Sequence, residues 1–371
     1  MNDWNARERI LAALQGKTTD FVPWFGDLDY WISSMRKRGT LPDEYAGDGH
    51  FKLHRDLGVG FYLQGYFPYD TAYEGVEIEE KQEGDVFRRT LRTPAGVLTS
   101  EMRYLPDTFS WAHVHHLLKG IDDLPAYLYL TEHTTYAPNY AEAERRKGLV
   151  GDNGVTLCYL PRSPFMELVT DVAGLENLVF LMADWPDETM HLLEAMELQA
   201  DRAAEIALAS PAECLMIPEN LSSEMVGADY YLRFLRPYEK KWTDRIRAAG
   251  KYSFIHMDGT LQGLIRLVAE SGFDVLEALT PLPSGDMSWA EIAAAVPAGP
   301  ILWGGLPGVL FTPHVSDDEF EAHVEGILEI MRTSRRFVLG VADQVPPDAI
   351  WSRVAKIHER VEEFGRMERN A

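Results

Sequence analysis

Cysteine and long apolar runs are scarce in this sequence. Cys158 and Cys214 are its 2 cysteines among 371 residues. Two cysteines cannot build a disulfide framework, and they lack the CxxC spacing of a structural zinc site, so we expect buried free thiols. No apolar stretch of about 18 residues occurs, which predicts no membrane-spanning helix. The first residues carry scattered charges in place of the apolar segment of a secretory signal, so a cytoplasmic location is expected.

Positive charge is scarce as well. Lys and Arg number 35 against 58 Asp and Glu, which gives a net charge of -23. This charge repels phosphate backbones and anionic lipid headgroups, so we expect neither nucleic acid nor a membrane as a partner. With 46% apolar residues, the chain has the composition of a globular protein with a large core. We expect a small-molecule substrate as its partner. A homodimer is one assembly that the sequence allows.

Short apolar runs alternate with helical stretches along the chain, a pattern typical of parallel strands joined by crossover helices. A first helix is predicted at 6–15 and a first strand at 21–25. Later strands are predicted at 148–157, 213–217, 252–255, 275–279, 301–303 and 336–339. Residues 76–104 alternate around a turn at 93–96, which predicts a β-hairpin insertion. We therefore predict an α/β fold: a single (β/α)8 TIM-barrel domain over residues 1–371, with an N-terminal helical extension and the insertion at 76–104.

The later predicted strands end in residues that buried strands seldom contain. These residues are Glu219, Asn220, His256, Asp258 and Asp343. In α/β barrels the loops after the strands converge on one face and carry the chemistry, so we predict His256, Glu219, Asp258 and Asp343 as catalytic residues. A histidine beside carboxylates suits either a metal site or a general acid–base pair. A helix cap at His256, an Asp-Gly turn at Asp258 and an N-cap at Asp343 are the structural alternatives.

Substrate contacts are predicted at six positions: Asp27, Asp29, Tyr30, Asn220, Glu277 and Trp303. Asp27, Asp29 and Tyr30 lie among aromatic residues after the first strand, a mixture that suits a cationic or planar ligand. Glu277 interrupts an apolar strand, where a carboxylate must be paired, protonated or in a cavity. Ordinary core packing is the alternative for Trp303 and for the aromatic residues near Asp27.

Three histidines cluster at His113, His115 and His116 and resemble a metal-binding group. We predict a helix at 112–119, which would spread adjacent side chains apart. These histidines are therefore expected to face solvent.

The chain resembles the uroporphyrinogen decarboxylase superfamily over nearly its whole length. The segments that carry the resemblance are residues 7–17, 20–23, 163–165, 234–238, 248–251, 255–259 and 302–305. The family implies a single (β/α)8 barrel and either porphyrinogen decarboxylation or methyl transfer with corrinoid proteins. The arginine-rich segment of the true decarboxylase is replaced here by Asp27 and Asp29. Those carboxylates would repel a polycarboxylate substrate, so the sequence is more similar to the corrinoid-linked methyltransferases.

These methyltransferases hold Zn²⁺ through a His-x-Cys pair and a distant cysteine. His256 matches the histidine, but Asp258 stands at the first cysteine position and Ala342 lies near the second. The resemblance therefore implies an altered metal site, with His256, Glu219 and Asp258 as ligands and Glu277 or Asp343 as further donors. The alternative is that no metal binds and His256 acts as an acid or base.

The resulting functional hypothesis is a methyltransferase-like enzyme that moves a methyl group between a small substrate and a corrinoid presented by a partner protein, or a similar acceptor. One alternative is a decarboxylase of a small or tetrapyrrole-type carboxylic acid. Another is a non-catalytic protein that docks a corrinoid domain.

Overall fold

Seven parallel strands form one curled sheet in the computed structural model, which describes residues 4–47, 50–62 and 66–368. The strands are β1 (Trp24–Phe25), β2 (Phe61–Tyr62), β3 (Tyr69–Tyr73), β4 (Glu77–Glu83), β5 (Val86–Thr93), β6 (Gly96–Leu105), β7 (Ser110–His115), β8 (Thr134–Pro138), β9 (Gly154–Val155), β10 (Leu157–Tyr159), β11 (Cys214–Ile217), β12 (Tyr252–His256), β13 (Val275–Leu279), β14 (Ile301–Pro307) and β15 (Phe337–Ala342). The helices are α1 (Ala6–Leu14), α2 (Asp29–Arg38), α3 (His50–Asp56), α4 (Leu124–Glu132), α5 (Ala141–Val150), α6 (Pro164–Glu167), α7 (Leu175–Asp184), α8 (Pro186–Ala209), α9 (Ala228–Tyr230), α10 (Arg236–Ala248), α11 (Ile265–Ala269), α12 (Trp289–Ala295), α13 (Asp317–Met331) and α14 (Trp351–Phe364).

The sheet runs in the order β1-β15-β14-β13-β12-β11-β10, and each neighbouring pair is parallel. β2 pairs in parallel with β9, and a bridge between Phe25 and Gly60 links the start of β2 to β1. Crossover helices between successive strands make this an α/β fold, as predicted. Closure of an eight-stranded barrel stays a prediction.

Alternate residues of the parallel strands point to opposite faces of the sheet and belong to two separate apolar cores. The inner cluster contains Phe25, Tyr62, Leu157, Met216, Phe254, Val275, Trp303 and Val338. The intervening residues, such as Ile255, Leu276 and Leu302, belong to the larger cluster that includes the helices. This division follows from the period of two in a strand, and burial on both faces explains why the strands are nearly continuous apolar runs.

Trp303 fills the inner core together with three other rings. Its ring centroid lies 5.3 Å from that of Phe25, 4.7 Å from Tyr62 and 5.7 Å from Phe254. Gly340, on the adjacent β15, leaves the space that the indole occupies, because a Cβ there would lie 2.6 Å from both Cδ1 and Nε1 of Trp303. The indole of Trp303 thus limits which residue the neighbouring β15 can carry at position 340.

The insertion is larger than the predicted hairpin. β5 and β6 meet at the predicted turn, where the hydroxyl of Thr93 donates to the carbonyl of Gly96. β4, β5, β6 and β7 form one antiparallel sheet, and β3 and β8 form a second antiparallel pair. The predicted helix at 112–119 is wrong, because residues 110–115 complete this sheet as β7. Hydrogen bonds to β6 outweigh the local helical pattern there.

The predicted strand at 148–157 is also wrong in its first half. Residues up to Val150 belong to α5, whose sequence is rich in the strong helix formers Ala, Glu, Arg and Lys. The strands begin only at Gly154. The first strand is shorter than predicted, and Phe21 forms an antiparallel bridge with Arg366 instead. Within the described ranges, no helix combines the length and apolar character needed to span a bilayer.

The close approach of Gly340 to Trp303 predicts that Gly340→Ala is destabilising. Because the added methyl group would clash with the buried indole, we expect the free energy of unfolding to fall by about 1–3 kcal/mol. Gly326 in α13 is exposed and a Cβ there meets no atom within 4 Å. Gly326→Ala should therefore stabilise the protein by about 0.4–1 kcal/mol. Urea denaturation of both variants measures the difference, and equal stability of Gly340→Ala and wild type would contradict this packing.

Candidate active site

A buried hydrogen-bonded relay occupies the carboxyl ends of β12 and β13. His256 ends β12 and lies opposite Glu277 in the parallel register. One carboxylate oxygen of Glu277 lies 2.6 Å from Nδ1 of His256, and the other accepts a hydrogen bond of 2.7 Å from the hydroxyl of Tyr62. Glu277 is fully buried and His256 is only 6% exposed. Glu277 and His256 follow Val275 and Phe254 by two residues along their strands, so they face inward on the same side. They form the polar layer directly above the inner core.

Asp343 faces the outer nitrogen of the histidine. It follows β15 with a left-handed backbone, φ 64°, and its Oδ1 lies 3.7 Å from Nε2 of His256. The side chain of Asp343 is 49% exposed, against 8% for the side chain of His256. Nε2 is therefore the ring nitrogen on the side of the half-exposed Asp343, while Nδ1 is occupied by Glu277.

The carboxylates favour a positively charged His256. Burial alone would lower its pKa, but the adjacent Glu277, followed by Asp258 and Asp343, raises the pKa of His256 to about 10. Burial also raises the pKa of Asp343, which the histidine charge partly offsets. The buried carboxylate of Glu277 therefore favours the protonated form of His256.

Asp27 brings a further carboxyl group to the same end of the sheet. It is buried, and one of its oxygens accepts a hydrogen bond of 2.8 Å from the backbone N–H of Asp29. Burial, with Asp29, Asp343 and Glu277 nearby, raises the pKa of Asp27 well above its ordinary value. Its surroundings therefore favour the protonated form of Asp27 more than those of an exposed carboxyl group do.

The other predicted substrate residues lie in three different environments. Asp29 is exposed and Tyr30 is partly buried, both in the first turn of α2. Asn220 is exposed and has a left-handed backbone with φ 51°. Trp303 is fully buried among the rings of the inner core, one layer below the relay. That position is the core packing that the sequence left open as the alternative.

Glu219 contacts a different group of residues from His256. Its carboxylate accepts hydrogen bonds from the backbone N–H of Ser163 at 3.0 Å and from the hydroxyl of Ser163 at 3.1 Å. Arg162 donates to the carbonyl of Pro218 at 2.6 Å. Burial raises the pKa of Glu219 to about 7, against the lowering effect of Ser163 and Arg162. Glu219 thus fastens the loop after β10 to the end of β11.

The predicted metal ligands do not form a ready-made cluster. Across the part of the chain that the structure describes, no three His, Cys, Asp or Glu residues are grouped as ligands of one ion. His256 already shares Nδ1 with Glu277, while Glu219 is bound to Ser163. Asp258 and Ala342 supply no thiolate. These residues do not fit a thiolate-type zinc site, and the hydrogen bond from His256 to Glu277 is compatible with the alternative of a histidine acid or base.

Sequence reasoning missed Tyr62, the third member of the relay. Its strand has only two residues, so the run Gly60-Phe61-Tyr62 is too short for a period to be recognised. It also missed that His113 and His116 stack with their ring centroids 4.4 Å apart, because it placed them on a helix. Alternation over residues 110–115 was the available signal.

Comparisons with known proteins agree with the fold. A family model described as uroporphyrinogen decarboxylase (URO-D) matches residues 146–364. A solved structure titled "methyltransferase from Methanosarcina mazei" is similar with a TM-score of 0.61 and 15% identity, covering 97% of this chain and 99% of that chain. At this identity the likeness shows the fold alone. The search of curated proteins found no match.

The contact between Glu277 and His256 predicts that Glu277→Gln lowers the pKa of the histidine. Removing the negative charge leaves burial to favour the neutral ring, so titration should move down by roughly 1–3 pH units. NMR of ¹⁵N-histidine-labelled protein measures this, with His256→Gln identifying the signal. An unchanged titration in Glu277→Gln would overturn the assignment.

The same pair predicts how stability depends on pH. The pKa of His256 is raised from 6.5 to about 10, so its stabilising contribution is complete below pH 6.5 and is lost as pH rises towards 10. The unfolding free energy of wild type should fall more steeply over this range than that of Glu277→Gln. Parallel curves in urea titrations at several pH values would contradict it.

Proposed function

The chain belongs to the uroporphyrinogen decarboxylase (URO-D) family, whose model matches residues 146–364, and we propose that it is a methyltransferase-like member. In this proposal it moves a methyl group between a small substrate and a corrinoid protein or a similar nucleophilic acceptor. The observation that carries the proposal is the cationic His256, held by Glu277 with its Nε2 directed towards the half-exposed Asp343. The similarity to the solved structure of the Methanosarcina mazei methyltransferase supports the proposal at the level of the fold.

The proposed reaction needs one proton transfer. The acceptor's electron pair forms the new bond to the methyl carbon, while the bond from that carbon to the substrate heteroatom breaks and its electron pair stays on the heteroatom. With a neutral substrate, Nε2 of His256 donates its proton to that heteroatom, which leaves as the neutral demethylated product; a heteroatom that already carries a positive charge leaves as the neutral product without this proton. Glu277 keeps the ring oriented throughout, and the hydroxyl of Tyr62 stabilises the Glu277 carboxylate. The histidine then regains a proton from solvent on the side of Asp343.

The charges near the relay favour a neutral or cationic substrate. Asp29 and Asp343 lie on the side of the sheet where substrate would approach His256. An anionic substrate would meet carboxylates on several sides, which disfavours a tetrapyrrole polycarboxylate. The residue types at the first strand therefore separate this chain from porphyrinogen chemistry.

We also propose that the strands close into the eight-stranded barrel of the fold prediction. β2 pairs with β9, β9 is separated from β10 by one residue, and the bridge from Phe25 to Gly60 joins β2 to β1. Tyr62 on β2 supports the closure, because it reaches across the interior to Glu277.

A decarboxylase of a small acid is the second candidate, and the buried Asp27, whose pKa is raised by burial and by Asp29, favours it. Loss of CO2 leaves an electron pair on carbon that must take a proton, and both His256 and Asp27 lie at this end of the sheet as groups that can hold one. A protonated Asp27 would also repel a substrate carboxylate less than an ionised one does.

Turnover of a substrate panel tests the main proposal. Methoxylated aromatics, methylated amines and methyl thioethers are incubated with protein and reduced free cobalamin as the acceptor, and methylation of the cobalamin is followed by its absorption spectrum. We expect turnover with at least one class, and a loss of about 10²–10⁴-fold in His256→Gln, because the leaving atom loses its proton donor.

The relay histidine is buried, whereas His314 is exposed. His314→Gln is therefore the matched control and should leave the rate unchanged. CO2 release from a panel of aromatic and heterocyclic acids, lost in His256→Gln, would replace the proposal by the decarboxylase. Binding of a corrinoid domain with no turnover of either panel would favour a docking protein instead.

A further inference from the structure

A cavity of about 590 Å³ lies away from the relay, between the inserted strands and the loop that follows β10. Its lining residues come from β3, β5, β6, β7, β8, α4, α8 and residues 161–172, and neither His256 nor Glu277 is among them. This volume falls in the ordinary range for small-molecule sites, roughly 300–1,000 Å³. The insertion predicted from the sequence thus supplies one wall of a cavity large enough for a ligand.

The lining is set by regular alternation in the inserted strands. On β3 the residues that face the cavity are Tyr69, Thr71 and Tyr73, each two positions from the next, and Tyr136 pairs with Thr71 across the strand pair. Phe87, Arg89 and Leu91 repeat the same period on β5. On α8 the cavity-facing positions Met196, Gln199 and Ala200 have helical spacing. The cavity is therefore built by the secondary structure itself.

Aromatic rings form most of one side. Phe67, Tyr69, Tyr73, Phe87, Tyr127 and Tyr136 line the space. The rings of Tyr69 and Tyr136 meet nearly at right angles, with centroids 5.2 Å apart and planes inclined by 78°. Rings that meet in this way present ring faces from two directions, which is the arrangement that attracts a methylated or otherwise weakly hydrated cation.

The charged groups of the cavity leave one carboxylate weakly paired. Arg162 donates to Asp171 at 2.7 Å and to the carbonyl of Pro218 at 2.6 Å, so its charge is used within the protein. Arg89 lies 3.1 Å from a carboxylate oxygen of Glu80. Among the residues that the structure describes, the ion-pair contact of Glu167 is a long one, 3.9 Å to Arg162. The cavity therefore offers a carboxylate to a ligand, while Arg162 and Arg89 each lie beside a carboxylate of the protein, although Nε of Arg89 makes no hydrogen bond within the described part of the chain.

A second acceptor faces the cavity without a partner. Gln199 is 7% exposed and its Oε1 has no hydrogen-bond partner among the residues that the structure describes. A buried carbonyl oxygen without a donor is destabilising, because it has lost its hydrogen bonds to water and gained none in return. A ligand that carries an N–H or O–H group beside its cationic centre would satisfy it.

We propose that this cavity binds an organic ammonium ion, with the tyrosine rings around the cationic centre, Glu167 as its counter-ion and Gln199 accepting a hydrogen bond from the ligand. The volume accommodates such a cation with an apolar substituent the size of an aromatic ring. This site goes beyond the proposed methyl transfer, and its test measures binding alone, so either proposal can fail without the other.

The protonation of Glu167 gives the site a dependence on pH. The side chain of Glu167 is 39% exposed, and its partial burial and the neighbouring Asp171 raise its pKa to about 7, against the lowering effect of Arg162. Tyr69, Tyr127 and Tyr136 face it from β3, α4 and β8, Glu219 lies on the side of the barrel, and His113 lies 3.9 Å from Asp171. Above pH 7 the carboxylate is charged and attracts a cation, and below pH 7 this attraction is lost.

Calorimetric titration of the full chain with choline and with its uncharged isostere 3,3-dimethylbutan-1-ol tests the proposal. At pH 8 we expect choline to bind at least 10-fold more tightly, because only the charge differs between the two probes. Benzyltrimethylammonium should bind more tightly than choline, since its ring adds apolar contact. Equal binding of choline and the isostere, tighter binding of benzoate, or no binding of any probe would overturn the proposal.

Variants locate the site. Glu167→Gln should weaken choline binding about 10-fold at pH 8 and should remove most of the weakening that wild type shows between pH 8 and pH 6. Tyr136→Leu should weaken it by removing a ring, which provides a test independent of the carboxylate. The exposed Glu176→Gln is the matched control and should bind as wild type does. His113→Gln should keep the pH dependence of choline binding. Loss of that pH dependence in His113→Gln would contradict Glu167 as the counter-ion, and so would unchanged affinity in both Glu167→Gln and Tyr136→Leu.

Discussion

The carboxylate of Glu277 has no exposure to water, and its need for partners organises the polar end of the sheet. A buried charge is tolerated only when it is paired and hydrogen-bonded, and Glu277 obtains both from His256 and Tyr62. These partners come from the adjacent β12 and from β2, so the interaction joins strands distant in sequence. It also fixes which nitrogen of the histidine remains towards solvent. The acid function proposed here is thus a consequence of satisfying one buried group.

The core below this layer was predictable in type but not in detail. Apolar runs located β11, β12 and β13 within one or two residues, because strands buried on both faces must be apolar. The same runs could not show which residues face inward, since that depends on how the sheet curls. Trp303 illustrates the limit: its sequence context allowed either a ligand wall or core, and the contact with Gly340 on the next strand places it in the core. β2 was too short to recognise.

The candidate site was predicted in part for a related physical reason. Ends of parallel strands converge at one edge, where the structure places His256, Asp343 and Glu277 close together, while their roles stay predictions. Strand order alone did not reveal that Glu219 points to Ser163, because a loop between strands can take its side chain in either direction. The histidines of β7 were assigned to a helix because local propensity competes poorly with pairing to a neighbouring strand.

The inserted strands hydrogen-bond to one another and stand outside the seven-stranded sheet. Their cavity-facing side chains can consequently be exchanged without altering the register of the barrel-like core or the partners of Glu277. Most of the aromatic wall of the cavity lies on these inserted strands, whereas Glu167 and Gln199 lie on α6 and α8, between β10 and β11 of the main sheet. Selectivity could then be redesigned by choosing residues at alternate positions of β3 and β5, as in a grafted recognition loop, while the scaffold is left intact.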